Sequence, residues 1–440
     1  MTSRVTEPGA SVAVVGAGYV GLTTAVCLAH RGSRVCCGDL DPEKVERLSR
    51  GEPIIVEEGL TDFLREGLET GKLRFVVTAA AAVKDAEFVF LCIPTPQQAD
   101  GSVDTTALES VAVEIGPHLV RDAIVVNKST VPLGSTVLVK QLSGREDISV
   151  VSNPEFLREG FAIDDFLHPD RVVVGSTDVT AAARVGALVA GDAPIILTDP
   201  VTSETIKYVS NAFLASKLSF VNSVANLCEA LGADVRDVLL AMGYDRRIGS
   251  EYLQPGPGWG GSCLPKDTRA LAHMARKAGF EFSLLEEVIR TNERQIASIV
   301  PKVRRALGGS LVGSTVGVWG LTFKAGTDDL RDSPAVEVVR RLMAEGSKVQ
   351  AFDPTTVGKE VAELRGSIEI CDDAYKACDG ADALIVLVEW DEFRSADFTK
   401  VRGLMTEPLV IDERNLLDPV TMRSLGFLHI GIGDPSAIES

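Results

Sequence analysis

Cys263 lies in the glycine-rich stretch GPGWGGSCLPKD, which runs from Gly256 to Asp267. The segment that follows has helical character, and Pro265 suits a first helical turn because its missing N–H costs no hydrogen bond there. A thiol at a helix N-terminus ionises more readily, since the helix dipole stabilises the thiolate, and it is then a better nucleophile. Asp267 follows one helical turn later and is a candidate base.

Three glycines close to this cysteine, Gly258, Gly260 and Gly261, are expected to let a substrate approach the sulfur. The alternative interpretation is that Cys263 is a small buried apolar residue, as cysteine usually is. The stretch by itself leaves both interpretations open.

A lysine and an amide share one face of a second candidate element. In ETIKYVSN, Lys207 and Asn211 are four residues apart, which places them together on a helix. The surrounding sequence is mostly apolar, so this face is expected to be partly buried. Such a pair could stabilise an oxyanion. The alternative is a lysine whose stem packs on apolar surface while its ammonium group reaches water.

The stretch GAGYVG is typical of a dinucleotide-binding turn. Gly16, Gly18 and Gly21 stand directly after an apolar strand and before a helix, where a pyrophosphate can approach the helix N-terminus. Asp39 ends the next strand, where an acid can bind the ribose 2′-hydroxyl. This acid favours NAD over NADP, and the nearby Lys44 tempers that preference. The alternative is a glycine turn that serves packing alone.

Polar residues also follow three further strands of the same segment. Thr95 in CIPTP, and Ser129 and Thr130 in KSTVPLGST, stand where an open α/β sheet binds ligands. They are candidates to contact the cofactor or to cap loops. In NPEFLREG, a helical turn would put Glu155 and Glu159 on one side, or these acids mark a solvated helix start.

The elements that must position these residues alternate between strand and helix at the start of the chain, which predicts a parallel, doubly wound sheet. From about Thr202 to Leu231 a single long helix is predicted, and further helix follows to about Ala306. The strand–helix alternation then resumes near Thr315.

The resumed segment resembles the first one. EGSKVQAFDP echoes RGSRVCCGDLDP, and ADALIVLVEW echoes AEFVFLCIPTP, which predicts a second Rossmann-like domain. The alternative is that buried strands simply look alike. The predicted organisation is a Rossmann domain over residues 1–200, a helical region over 201–306 and a Rossmann-like domain over 307–440.

The totals exclude several classes of protein. A chain of 440 residues with a net charge of −18 lacks the basic surface that nucleic-acid binding needs. Eight scattered cysteines form no disulfide framework, which favours reduced thiols in a cytoplasm. The five histidines form no metal-binding pattern. The first ten residues lack the apolar core of a signal peptide, and no membrane span is expected.

A hydride acceptor and a nucleophilic cysteine together favour oxidation of an aldehyde to an acid. A thiolate can add to the carbonyl carbon, the thiohemiacetal can give up a hydride, and water can release the resulting thioester. A two-electron hydroxyacid dehydrogenase would have no use for Cys263 or for a second nucleotide domain. A non-catalytic nucleotide sensor would have no need of Cys263, Lys207 and Asp267.

Six motifs resemble the UDP-glucose/GDP-mannose dehydrogenase family: GAGYVG, KSTVPLGST, NPEFLREG, ETIKYVSNAF, GPGWGGSCLPKD and GLTFKAGTDDLRDSP. They occur in the order that the family shows and extend from about Val12 to Asn415. The resemblance implies an NAD-binding domain, a central helical dimerisation region and a C-terminal domain for the sugar nucleotide. It also implies oxidation of the sugar C6 alcohol to a carboxylate as two NAD are reduced.

The resemblance implies six catalytic side chains: Cys263, Lys207, Asn211, Asp267, Glu155 and Thr130. Cys263 is the nucleophile, while Lys207 and Asn211 stabilise the oxyanion and Lys207 also takes part in proton transfer. The two acids assist proton transfers, Glu155 chiefly in thioester hydrolysis, and Thr130 helps to order the water.

Further residues are implied in binding. Those assigned to NAD are Gly16, Gly18, Tyr19, Val20, Gly21, Asp39, Lys44, Pro94, Thr95, Ser129, Thr130, Glu159 and Arg331. Those assigned to the nucleotide sugar are Glu155, Phe156, Leu157, Lys207, Asn211, Arg247, Tyr252, Leu253, Gly260, Phe323 and Lys324. Arg247 corresponds to an arginine that one subunit of a homodimer lends to its partner's substrate.

Within the family, the stretch RRIGSEYLQPGPGWGGSCLPKD looks most like the branch that acts on UDP-glucose. The same chemistry on another nucleotide sugar, such as TDP-glucose or GDP-mannose, stays open. Trp259 stands where phenylalanine or tyrosine is common in the family, and it could reshape the pocket.

Overall fold

The computed structural model describes residues 9–358, 361, 364 and 368–435. Residues 1–8 lie outside the described residues. They make up most of the ten-residue segment that lacks the apolar region of a signal peptide. In the part of the chain that is described, no helix has both the length and the apolar content that crossing a membrane requires.

The chain divides into two compact units, Met1–Ser210 and Asn211–Ser440. The strands of the first unit are β1 (Ser11–Val15), β2 (Arg34–Asp39), β3 (Leu73–Val77), β4 (Phe88–Leu91), β5 (Ile124–Asn127), β6 (Ser149–Ser152), β7 (Val172–Gly175) and β8 (Ile195–Thr198). They form one sheet in the order β3-β2-β1-β4-β5-β6-β7-β8.

The first six of these strands are parallel, as the sequence predicts. One detail differs from a wholly parallel sheet: β7 pairs antiparallel with β6 through Ser152 and Gly175, and β8 then runs parallel to β7. Gly175 is needed at this point, because a Cβ atom there would lie 2.4 Å from the Ser203 side chain.

Helices cover this sheet and bury two apolar clusters, which include Val14 and Phe90 in one and Ala13 and Leu91 in the other. Alternate residues of β1 and β4 enter different clusters, because successive side chains of a strand point to opposite faces. The helices are α1 (Tyr19–His30), α2 (Pro42–Ser49), α3 (Leu60–Glu69), α4 (Ala79–Val83), α5 (Thr106–Ile115), α6 (Ser135–Ser143), α7 (Ala162–Leu167) and α8 (Val179–Val189). The unit is therefore a doubly wound α/β domain.

The predicted long helix is present as α9, Pro200–Leu231, with 32 residues. Three more helices follow, so that the helical region ends at Ala306 as the sequence indicates: α10 (Val235–Gly243), α11 (Leu264–Lys277) and α12 (Ser283–Ala306).

The second unit contains a second parallel sheet. Its strands are β9 (Thr315–Trp319), β10 (Lys348–Phe352), β11 (Glu369–Ile370), β12 (Ala383–Val386), β13 (Leu409–Asp412) and β14 (Leu428–Gly431). The order is β11-β10-β9-β12-β13-β14. The associated helices are α13 (Pro334–Ala344), α14 (Asp391–Arg394), α15 (Phe398–Leu404) and α16 (Pro419–Ser424).

The two sequence echoes fall on equivalent strands. The first echo covers β2 in the first sheet and β10 in the second, which lie beside β1 and β9 respectively. The second echo covers β4 and β12, which lie on the opposite side of β1 and β9. The predicted second Rossmann-like domain is therefore confirmed.

A buried ion-pair cluster ties the helices of the second unit to its sheet. Lys302 of α12 lies 2.9 Å from Glu229 of α9 and 3.0 Å from Glu413, which follows β13. Glu229 also accepts a hydrogen bond of 2.8 Å from the backbone N–H of Gly433. Because Lys302 and Glu413 are buried, each charge needs the other.

Candidate active site

The glycine turn after β1 leaves room for a ligand at only one of its three glycines. A Cβ atom on Gly16 would lie 2.4 Å from the Cys92 carbonyl oxygen, and one on Gly21 would lie 1.8 Å from the Gly16 carbonyl oxygen. Gly18 is exposed and has nothing within 4 Å of its Cβ position. Gly18 is also the N-cap of α1. The turn therefore fits the pyrophosphate of NAD, which would occupy this open space at the helix N-terminus.

Asp39, predicted to bind the ribose, ends β2 beside the glycine turn. Its carboxylate accepts hydrogen bonds from the backbone N–H groups of Ala17 at 2.7 Å and Asp41 at 3.1 Å, and it lies 3.2 Å from Lys44 Nζ. Burial opposes ionisation, but these contacts outweigh it and lower the pKa of Asp39. An ionised acid that is still partly exposed fits a ribose hydroxyl. The ion pair with Lys44 is in place, and its expected effect on the preference for NAD stays a prediction.

The equivalent acid of the second sheet is differently placed. Asp353 follows β10 and accepts hydrogen bonds from the backbone N–H groups of Leu321 and Thr322, and from the Trp390 ring at 3.2 Å. Its side chain is fully buried. Donors of the protein itself thus occupy the carboxylate of Asp353, whereas the carboxylate of Asp39 remains partly exposed to a ligand.

Tyr19, expected to contact the cofactor, has a structural contact in the first unit. Its hydroxyl donates to Glu57 and accepts a hydrogen bond of 2.7 Å from the backbone N–H of Gly160. Glu57 in turn accepts from the backbone N–H groups of Gly160 at 2.8 Å and Ala162 at 2.6 Å. Glu57 therefore anchors the NPEFLREG loop to the start of α1. The sequence analysis missed this acid, because nothing local in its surroundings marks it.

Hydroxyl groups join the loops that follow β4 and β5. Thr95 donates a hydrogen bond of 2.9 Å to the Thr130 carbonyl oxygen. Ser129 accepts one of 2.7 Å from the backbone N–H of Ile93. These contacts match the loop-capping interpretation for Thr95 and Ser129, and their contact with a cofactor stays a prediction.

Glu155 and Lys207 form a buried ion pair of 2.8 Å in the first unit. The Glu155 carboxylate also accepts a hydrogen bond of 2.6 Å from the backbone N–H of Leu157. Burial opposes the ionisation of Glu155, but the charge and hydrogen bond of Lys207, the Leu157 N–H and the charge of Lys128 together lower its pKa. The Lys207 ammonium group also lies 5.5 Å from the centre of the Phe156 ring.

The expected helical turn over NPEFLREG is absent. No helix includes residues 153–160, so Glu155 and Glu159 are not placed together by helical periodicity. The loop is instead held by Glu57 at one end and by the ion pair of Glu155 with Lys207 at the other. Long-range contacts of this kind leave no periodic pattern in a sequence.

Glu204 is a second acid that the sequence analysis did not select. It lies one turn before Lys207 on α9 and is buried. Its carboxylate accepts hydrogen bonds of 2.7 Å from the Gly134 backbone N–H and of 2.7 Å from the Thr136 hydroxyl. Glu204 thus fixes the turn of α9 that carries Lys207 to the loop that carries Thr130.

In the second unit, Asn211 of α9 donates a hydrogen bond of 2.6 Å to the Asp267 carboxylate on α11. The other carboxylate oxygen contacts Lys266 Nζ at 2.5 Å. Asp267 is fully buried, so its charge depends on these two donors. The sequence did not predict this contact, which joins the candidate oxyanion amide to the candidate base beside the cysteine helix.

Cys263 is the N-cap residue of α11, and Pro265 lies in the first turn, as the sequence predicts. Its side chain is partly exposed, whereas the other seven cysteines are buried. Its sulfur lies 3.5 Å from the Ser262 hydroxyl. The position at a helix N-terminus favours the thiolate.

The glycines around Cys263 serve packing. A Cβ atom on Gly258 would lie 2.8 Å from Ile296, and one on Gly260 would lie 2.1 Å from the Asp332 carbonyl oxygen. Gly261 has φ +82, and its Cβ position is 2.8 Å from the Phe323 ring. A side chain at any of these three positions would meet protein atoms, so packing accounts for the glycines. The approach of a substrate to the sulfur past this loop stays a prediction.

Trp259 anchors the same loop. Its ring is buried, and its Nε1 donates a hydrogen bond of 2.9 Å to the Ser219 hydroxyl. The Asn292 side chain accepts a hydrogen bond of 2.8 Å from the Trp259 backbone N–H and donates one of 2.8 Å to the Trp259 carbonyl oxygen. The indole ring is thus part of the packing between α9 and α12. This contact gives no support to the expectation that Trp259 changes the shape of the substrate pocket.

Further predicted binding residues are on the second unit. The Arg331 guanidinium pairs with Asp329 at 2.7 Å. Arg247 pairs with Asp245, and 89% of its side chain is exposed, as an arginine offered to another subunit would be. Tyr252 has φ 60, a left-handed conformation that is unusual for this residue type.

Models of one family match three parts of the chain. The NAD binding domain of the UDP-glucose/GDP-mannose dehydrogenase family matches residues 10–190. The central domain of that family matches residues 201–294, and its UDP binding domain matches residues 317–419.

Individual proteins are similar over nearly the whole length. UDP-glucose 6-dehydrogenase of Pseudomonas aeruginosa is 42% identical, over 96% of this chain and 97% of that protein. UDP-glucose 6-dehydrogenase TuaD of Bacillus subtilis is 41% identical, over 97% and 93%. The solved structure of a UDP-glucose dehydrogenase from Pyrobaculum islandicum has a TM-score of 0.90 and 38% identity, over 98% of this chain and 99% of that one.

Proposed function

Because this chain belongs to the UDP-glucose/GDP-mannose dehydrogenase family, we propose that it oxidises the C6 hydroxyl of UDP-glucose to the carboxylate of UDP-glucuronate. The observation that carries this proposal is the similarity, of 36–42% identity, to UDP-glucose 6-dehydrogenases over nearly the whole chain. The partly exposed Cys263 at the N-terminus of α11 supports a four-electron oxidation through a thioester. The cofactor is NAD, for which Gly18 and Asp39 provide a fitting site.

The first oxidation removes a hydride from C6 and a proton from the C6 hydroxyl. Bound NAD supplies the hydride acceptor for each of the two oxidations. We assign the proton transfer to Lys207, whose position is fixed by Glu155 at 2.8 Å. In its protonated form, Lys207 stabilises negative charge on the substrate oxygen, and Asn211 on the same helix assists as a donor.

The second oxidation is assigned to Cys263. Its thiolate sulfur forms a bond to the aldehyde carbon while the C=O π bond opens and the oxygen takes up a proton. The resulting thiohemiacetal loses a hydride from carbon and the proton from its hydroxyl group to become a thioester. We assign Asn211, together with Lys207, to stabilise the oxyanion, and Asp267, which accepts a hydrogen bond of 2.6 Å from Asn211, to assist proton transfer. Water then adds to the thioester carbon, the carbon–sulfur bond breaks, and the carboxylate and a free Cys263 result. Glu155 and Thr130 are assigned to this hydrolysis.

The proposed function is tested by counting NADH formed per sugar consumed, with purified protein and limiting UDP-glucose. We expect two NADH per sugar. One NADH per sugar would overturn the four-electron mechanism and favour a two-electron dehydrogenase. Turnover with TDP-glucose or GDP-mannose, and none with UDP-glucose, would retain the mechanism and change the substrate.

We also propose that the protein is a homodimer. Phe213, Phe220 and Leu227 are seven residues apart on α9, so they lie on one helix face, and their exposed fractions are 65%, 56% and 55%. Such an apolar stripe fits the same stripe of a second copy. Light scattering after gel filtration should give twice the mass of the 46.8 kDa chain, and Phe220→Glu should give the monomer mass.

We place the enzyme in the cytoplasm. All eight cysteines are free thiols, and seven of them are buried. This pattern fits a reducing compartment, where disulfides are rare.

A further inference from the structure

A buried lysine without an assigned role lies beside the Lys207–Glu155 ion pair. Lys128 directly follows β5, and only 5% of its surface is exposed. Among the described residues, its ammonium group makes one hydrogen bond, of 3.2 Å, to the Asn153 side-chain oxygen. Asn153 is itself fixed by a hydrogen bond of 2.8 Å to the Val173 carbonyl oxygen. A buried ammonium group has three N–H donors, so a single hydrogen bond leaves its charge poorly compensated.

The groups that face Lys128 connect it to the proposed chemistry. The titratable groups that act on it are Cys92, Glu155 and Lys207, and the Phe166 ring centre lies 5.8 Å from its ammonium group. Burial lowers the pKa of Lys128, electrostatic interaction with Cys92 and Glu155 opposes that change, and the positive charge of Lys207 adds to it. Lys128 is therefore a second buried cation that acts on both members of the ion pair.

We propose that Lys128 is a positioning residue for the reaction: its buried ammonium group, held by Asn153 against the loop that carries Glu155, acts on the Lys207–Glu155 ion pair. Its positive charge favours the carboxylate of Glu155 and the loss of a proton from Lys207. The proposal rests on the proposed function, because it assigns Lys207 the proton of the C6 hydroxyl. Lys128 acts through Lys207 and Glu155, and it contacts neither substrate nor cofactor in this scheme.

The physical reason is the balance of charge in a medium of low polarity. One carboxylate facing one ammonium group forms a stable pair that resists proton loss. A second cation repels the proton on Lys207 and attracts the charge on Glu155. A buried charge such as that of Lys128 lowers the stability of the folded protein, as charged groups in functional sites commonly do.

The first test compares wild type with Lys128→Met, which has a similar length and no charge. We expect kcat at pH 7 to fall about tenfold, and the ascending limb of the pH profile to move to higher pH. Because a poorly compensated buried charge is removed, the melting temperature should be unchanged or higher. Lys128→Arg should retain more of the wild-type profile than Lys128→Met.

The control variant is Lys140→Met. Lys140 also donates a hydrogen bond, of 2.9 Å to the Ile148 carbonyl oxygen, but it lies on α6 outside the proposed machinery. It should leave the pH profile unchanged. A loss in Lys128→Met that is equal at every pH and accompanied by a lower melting temperature would show a merely structural role and overturn the proposal. Full activity in Lys128→Met would also overturn it.

A second readout does not depend on turnover. Cyanate carbamylates neutral amines, so its reaction with Lys207, measured by mass spectrometry relative to the exposed Lys84, reports how readily Lys207 loses its proton. We expect this relative rate to fall several-fold in Lys128→Met. If wild type reduces no NAD with UDP-glucose but this difference is present, the proposed function fails and the effect of Lys128 on Lys207 stands. An unchanged relative rate overturns the effect itself.

Discussion

The side-chain amide of Asn211 donates a hydrogen bond of 2.6 Å to the buried carboxylate of Asp267 and so joins α9 to α11 in the second unit. Two residues that are 56 positions apart thereby form one polar unit, one helical turn from Cys263. The orientation of the amide and the charge of the acid depend on each other, since neither group can reach bulk water for another partner.

Replacement of Asp267 by asparagine removes this charge with little change of shape. We expect kcat to fall about 100-fold or more, because proton transfer and the orientation of Asn211 are both affected. Steady-state NADH formation from UDP-glucose gives the value. Asp372→Asn, which breaks an exposed pair with Lys376, is the matched control and should leave kcat unchanged. Equal activity in both variants would contradict the assigned role.

Alkylation should distinguish Cys263 from the other thiols. Burial raises the pKa of Cys27, Cys92 and Cys378 to about 12, so these thiols are unreactive near neutral pH. Iodoacetamide at pH 7.5 should modify Cys263 first, with loss of NADH formation in proportion. Peptide mass spectrometry locates the label. Cys263→Ser should not be inactivated further, and full activity in Cys263→Ser would exclude the thioester route.

Replacement of Asp39 should change the choice of cofactor. Asp39→Ser removes the negative charge that repels a 2′-phosphate and leaves Lys44 to attract it. We expect kcat/KM for NAD to fall about tenfold or more and the ratio of NADP to NAD use to rise. Kinetics with each cofactor at saturating UDP-glucose measures both. Unchanged NAD kinetics would show that Asp39 does not bind the ribose.

The buried ion pair predicts how stability depends on pH. The pKa of Glu155 is lowered in the folded protein, so its contribution to stability is present above the unfolded value of about 4.3 and is lost as the pH falls through the folded value. Glu155→Gln should cost about 3–5 kcal/mol at pH 7, because it removes the negative charge that faces the buried Lys207 at 2.8 Å. Urea denaturation from pH 3 to 8 should show this difference shrinking at the acid end.

A stability effect of similar size is expected at Lys302. In Lys302→Met, Glu229 and Glu413 lose their common cation, and we expect a loss of about 3–5 kcal/mol at pH 7. Burial already raises the pKa of Glu413. Lowering the pH toward 5 should therefore restore part of the lost stability as the carboxylates bind protons. A variant that is equally unstable at both pH values would point to lost packing.

Local patterns in the sequence predicted much of this molecule. The turn at Gly16 to Gly21, the acid at Asp39 and the position of Cys263 before α11 all depend on residues near one another in the chain. The repeated pattern also predicted the second Rossmann-like domain, because the same strand–helix order recurs and buries the same kinds of residues.

Contacts between distant segments were not predictable in the same way. Glu57 and Glu204 hold two loops of the first unit through backbone N–H groups, and these donors exist at almost every residue. The reversed direction of β7 and β8 likewise depends on the course of the chain after β6. The tight packing beside Gly258 and Gly260 required the positions of Ile296 and the Asp332 backbone, which no local pattern gives.

Helix α9 imposes a condition on how this chain can tolerate insertions. It extends about 48 Å at 1.5 Å per residue and carries Asn211 near one end of the apolar stripe that begins at Phe213. One residue inserted at this point would rotate the stripe by about 100° relative to Asn211, whereas seven would restore the direction to within about 20°. The proposed chemistry at Asn211 and the proposed dimer stripe thus share one angular phase, and only insertions close to a whole number of helical turns preserve it.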